Sequence, residues 1–80
     1  MTDHADAFAT AVAAELRAQR GRARVTVDAL AERTGLAKST VLNYLNNRRD
    51  IPMSAFLDLC TALDVNPREI FAAAEHSLQD

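Results

Sequence analysis

The sequence has no tryptophan, one tyrosine, three phenylalanines, one cysteine, two glycines and two prolines among its 80 residues. Each scarcity removes a class of protein. A single cysteine, Cys60, cannot build a disulfide framework. It has no base or oxyanion donor nearby to make it a nucleophile, so a packed thiol is expected. No zinc-ligand cluster occurs, and His4 with Asp3 and Asp6 falls short of a metal site. Gly21 and Gly35 stand alone rather than in a phosphate-cradling loop. His, Cys and acidic residues are too few in any shared pocket for catalysis. The expectation is a protein that is not an enzyme, with no cofactor and no small-molecule ligand. No apolar run approaches the ~20 residues of a membrane span, and no charged-apolar-small leader opens the chain. A cytoplasmic location is expected. The shortage of aromatics also leaves little with which to stack unpaired bases, which counts against RNA.

What the chain has is alanine-rich apolar content, 49% in all, and charge, 25%. Eighty residues are enough for one small domain burying roughly 60% of its unfolded surface, and this composition suits closely packed helices. We expect a single all-α domain of five helices over residues 1–80, with its core at about 8–71. The net charge of −2 taken alone disfavours nucleic acid. Its distribution does not. Residues 17–49 hold eight bases (Arg17, Arg20, Arg22, Arg24, Arg33, Lys38, Arg48, Arg49) and two acids, Asp28 and Glu32; outside them are nine acids and Arg68. A segregated basic stretch is the footprint of a phosphate-binding face.

The helices follow from spacing. Phe8, Val12 and Leu16, with Ala11, make one apolar stripe. Thr2 or Asp3 can cap this first helix, which is expected to stop near Arg20 with Gly21 in the left-handed conformation. Residues 27–34 form a second helix, capped by Thr26 and closed by Gly35. Residues 38–45 form a third, with Val41, Tyr44 and Leu45 on its buried face. A fourth spans 53–63 on Phe56, Leu59, Cys60 and Leu63. Asn66-Pro67-Arg68-Glu69 then reads as a cap, an N1 proline and a return glutamate, opening a fifth with Ile70, Phe71, Ala74 and Leu78. Val65, Ile70 and Phe71 are expected to close the core.

Two short helices joined by a glycine turn make a helix-turn-helix, whose second helix can enter a major groove. Residues 27–46 also resemble the lambda-repressor and Cro-like (xenobiotic-response-element) family. The matching features are Leu30-Ala31, Gly35-Leu36, Ser39-Thr40-Val41, and Asn46-Asn47-Arg48-Arg49 followed by Pro52. The similarity continues through residues 56–71. Val27 stands where relatives often carry glutamine, and Leu45 where they often carry glutamate.

The resemblance implies a compact five-helix DNA-binding domain that regulates transcription as a repressor of phage or bacterial type. The N-terminal and outward residues of the third helix, Ala37, Lys38, Ser39, Leu42 and Asn43, are then the candidates for base readout. Lysine donates to guanine O6 and N7, asparagine pairs with adenine N6 and N7, and leucine packs on thymine methyls. Asn46 falls where the family often contacts phosphate. Thr26 and Thr40, at the starts of helices two and three, and Asn47, Arg48 and Arg49, at the end of helix three, complete the expected phosphate contacts. Arg22 and Arg24 either reach phosphate or lie exposed on a loop. The expected partner is double-stranded DNA with a palindromic operator, bound by a homodimer. No separate dimerisation domain is seen, so Phe71, Ala74 and Leu78 are the candidate dimer contacts. The alternative is a protein-interaction module on the same fold, antitoxin- or antirepressor-like, docking through Leu42 and the acidic C-terminal half.

Overall fold

Side-chain caps open α2 and α5, and single residues in left-handed conformation close α1 to α4. The computed structural model describes residues 4–79. It has α1 (His4–Ala23), α2 (Val27–Thr34), α3 (Lys38–Leu45), α4 (Met53–Ala62) and α5 (Pro67–Ser77), with no strand among the described residues. The Thr26 hydroxyl accepts from the Ala29 N–H at 3.0 Å, and the Asn66 side chain accepts from the Arg68 N–H at 2.9 Å. Both side chains satisfy N–H groups that the first turn leaves without helical partners. The expected cap of α1, Thr2 or Asp3, lies outside the described residues. The α4 helix ends at Ala62, with Leu63 as its cap, one residue short of the expected end.

The first helix overturns one expectation. It runs through Gly21 and ends at Ala23, and the left-handed residue is Arg24, at φ 57°. The cause lies just past the helix end. Arg24 N–H donates to Gly21 C=O and Val25 N–H donates to Arg20 C=O, the pair of bonds that defines a Schellman motif. Such an end drops its next residue onto the helix, and that residue is Val25, which packs against the core. An end at Gly21 puts the charged Arg22 in that place instead. Burial of Val25 outweighs the cost of ~1 kcal/mol for a glycine inside a helix. The end of α4 repeats the motif, with Asp64 at φ 55° and Val65 beyond it turned to the core.

The α5 helix packs chiefly on α1, and α2 packs on α3 and α4. Leu16, Leu30, Val41, Leu59 and Cys60 are the largest fully buried side chains. Phe56 stacks on Phe71 at 4.8 Å between centroids, and Phe71 meets Phe8 at 5.8 Å. Ile70 is buried and Val65 half-buried, which closes the core as the spacing predicts. Among the described residues no polar or charged residue is buried.

Candidate nucleic-acid interface

The glycine turn is built as its sequence requires. Gly35 has φ 77°, and its N–H donates to Ala31 C=O at 2.9 Å. A side chain at that φ is strained, which is why glycine holds the position. The Thr34 hydroxyl donates back to Leu30 C=O at 2.7 Å and accepts from Leu36 N–H at 3.3 Å. Leu36 packs against the core and fixes the direction in which α3 leaves. Ala37 is the N-cap of α3, with extended backbone and no side-chain capping bond. The exposed opening of α3 therefore carries the N–H groups and partial positive charge of a helix start with no side chain over them.

Along α3 the buried face is Val41, Tyr44 and Leu45. Ala37, Lys38, Ser39 and Asn46 are exposed, while Thr40 and Asn43 are half-buried. Leu42 is 38% exposed. The candidate readers thus share one side of a short rigid element, with an apolar residue among polar ones. Lys38 is not unpartnered: its Nζ lies 3.0 Å from Oδ1 of Asp28, in the first turn of α2. It is the one salt bridge among the described residues.

The end of α3 is a third Schellman motif. Asn47 takes φ 56°; its N–H donates to Tyr44 C=O and the Arg48 N–H donates to Asn43 C=O. Asparagine tolerates this conformation better than most residues. Its side chain reaches across the surface to α1, Nδ2 donating to Thr10 Oγ1 at 2.9 Å while that hydroxyl donates to Asp6 C=O. Asn47 therefore ties the turn to α1 while remaining exposed. The residue after it, where α1 and α4 place a valine, is here Arg48, and it is exposed. Arg49 holds its guanidinium 5.8 Å from the Tyr44 ring centroid, a cation–π distance. Arg48 and Arg49 border a groove shared with Thr10, Asp6 and Asp50.

The basic stretch divides into two groups. Arg17 donates to Leu45 C=O at the end of α3, Arg20 to Val25 C=O at 3.0 Å, and Arg33 to Ala62 C=O at 2.9 Å at the end of α4. These three serve the fold, and Arg17 and Arg33 place cations against the negative ends of helices. Arg22 bonds Gln19 across one turn, while Arg24 is exposed. The sequence did not separate the groups, because the Arg17 and Arg33 bonds span 28 and 29 residues.

Two further candidates change with the structure. Ala74 is fully buried within the chain, so it offers nothing to a second copy, and Phe71 spends its ring on Phe8 and Phe56. Of the three candidate dimer contacts Leu78 alone is an exposed hydrophobic residue, at 37%. Cys60 is buried, and the loss of hydration pushes its thiol up from 9.0 to about 11. That places it at the inert end of cysteine chemistry. No group of three or more metal-ligating side chains is found among the described residues.

A family model described as a helix-turn-helix domain matches residues 11–73. The fold is similar to that in the crystal structure of the clp gene regulator ClgR from C. glutamicum, with a TM-score of 0.82 and 22% identity. That match covers 89% of this chain and 92% of the other. No curated protein matches the chain.

Proposed function

This chain belongs to the helix-turn-helix domain family, and from that premise we propose that it is a sequence-specific binder of double-stranded DNA that regulates transcription as a repressor of phage or bacterial type. The observation that carries the reading is the outward row Lys38, Ser39, Leu42 and Asn43 on a helix whose far end presents exposed Arg48 and Arg49. Phosphate contacts fix register and base edges carry sequence. In this reading the opening of α3 with Thr40, the opening of α2 with Thr26, Asn46 and Asn47, and Arg48 with Arg49 hold the backbone. Lys38, Ser39, Leu42 and Asn43 read the groove, and Arg22 and Arg24 add phosphate contacts. One such helix spans about four to six base pairs of groove, so affinity comes from a symmetric pair on a palindrome. Leu78 is the residue left for that contact. A cytoplasmic, nucleoid-associated location accompanies this role.

The test is fluorescence anisotropy against a duplex enriched from a random-sequence pool, with a scrambled duplex beside it, at two salt concentrations. Asn43→Ala is expected to lose about 1–3 kcal/mol on the enriched duplex and little on the scrambled one. Arg48→Ala weakens both and flattens the log–log salt slope by about 0.9. A pool that yields no enriched sequence, even at low salt, rejects the reading.

A second reading is favoured by one observation. Met53 is 60% and Leu57 44% exposed, one turn apart on α4, as on a helix that docks a protein. Under that reading duplex affinity is absent and Leu42 contacts a protein instead.

A further inference from the structure

We infer that Asp28 is a specificity-determining residue: its carboxylate, paired with Lys38, turns that lysine from a phosphate contact into a reader of one G·C base pair. The inference rests on the DNA reading. The observation is the 3.0 Å ion pair joining the first turn of α2 to the first residue of α3. The Lys38 side chain is 58% exposed and that of Asp28 76%. Water screens a pair this open, which adds little to folding, so a role in stability does not account for it. Asp28 is moreover one of only two acids in the basic stretch of residues 17–49, where any acid opposes an approaching phosphate.

The chemistry of the two groups fits one base pair. An ammonium has three donors and no acceptor, and an ionised carboxylate only accepts. One donor of Lys38 stays with Asp28 while the others reach O6 and N7 of guanine. Asp28, beside it, accepts from N4 of the paired cytosine. At an A·T pair the carboxylate meets the thymine O4, another acceptor, and the contact is repulsive. Against bare phosphate Lys38 already faces a carboxylate, and the negative charge of Asp28 weakens binding to unrelated sequence. A lysine without the acid is a compact point charge that takes phosphate as readily as base.

Asp28→Asn, Lys38→Gln and the double variant are measured against the duplex enriched by the wild-type chain and against its scrambled version. Asp28→Asn is expected to bind the scrambled duplex with a salt slope steeper by about 0.9, as one more phosphate is neutralised. Discrimination between the duplexes falls about five- to tenfold, and re-selection loses the preference at one G·C position. In the Lys38→Gln background Asp28→Asn changes discrimination less than it does in the wild type, because the two groups are coupled. Thermal melting of each variant separates this from loss of a favourable first-turn charge in α2, which moves Tm and both affinities together. If wild type enriches a sequence and Asp28→Asn keeps both its discrimination and its slope, the inference is overturned while the DNA reading stands. If wild type enriches nothing, both fall.

Discussion

Among the described residues, three without glycine's freedom sit in the left-handed region, Arg24, Asn47 and Asp64, each at a helix end where the chain must reverse. Left-handed backbone costs an ordinary L-residue about 1–2 kcal/mol, partly regained on glycine substitution after its larger unfolded-state entropy is subtracted. Asp64 lies at the end of α4, away from the proposed DNA face, and it is exposed. Asp64→Gly is expected to raise stability by about 0.5–1 kcal/mol, seen as a rise in Tm of about 3–6 °C. DNA affinity should not change. Cys60 makes a second prediction at this scale. Its folded thiol holds the proton up to about pH 11 against an ordinary 9.0. Between those values the unfolded chain releases the proton first, so native-state stability is full below pH 9 and falls as pH rises. The slope is about 1.4 kcal/mol per unit. Urea unfolding at pH 8 and 10, with Cys60→Ala as the reference lacking this proton, measures the difference.

At the scale of elements, how much was legible in the sequence depended on the distance over which each feature is decided. Thr26, Gly35 and the Asn66-Pro67 opening act on bonds within a few residues, and the ends they predict for α2 and the start of α5 are where the structure has them. The outward placement of Leu42 and the inward placement of Val41, Tyr44 and Leu45 follow from helical period alone. The end of α1 departs from its sequence signal, because Gly21 acts locally and the burial of Val25 is tertiary. The same limit hid the division of the arginines and the Asp28–Lys38 pair, whose partners lie on different helices. The division can be measured. Arg33→Ala removes a cation from the last carbonyls of α4 and is expected to lower stability by about 1 kcal/mol with the DNA salt slope unchanged. Arg48→Ala should leave melting nearly untouched and change the slope. If both variants alter the slope equally, the division is wrong.

For the whole molecule, extents of 35 × 23 × 19 Å set what one copy can cover. Its long axis is about one turn of B-form DNA, roughly 34–36 Å, which is the spacing between half-sites read by a pair of such helices. If that axis lies along the duplex, two copies on adjacent turns of one face stand side by side and meet over a small surface. Sedimentation velocity is expected to show a monomer in solution and two copies on a palindromic duplex. Leu78→Asp lowers the cooperativity of the second copy while leaving half-site affinity intact. A single copy on a full palindrome would remove the dimer from the proposal.

The burial of Cys60 has a practical consequence. As the sole thiol in the chain, enclosed and held protonated well above neutral pH, it is expected to react slowly with maleimides under native conditions. A cysteine introduced at an exposed position such as Gln79 could be labelled alone, with the native thiol left in place. A fluorophore there would report on the separation of two copies along a duplex, and unwanted labelling of Cys60 would serve as a clock for opening of the core.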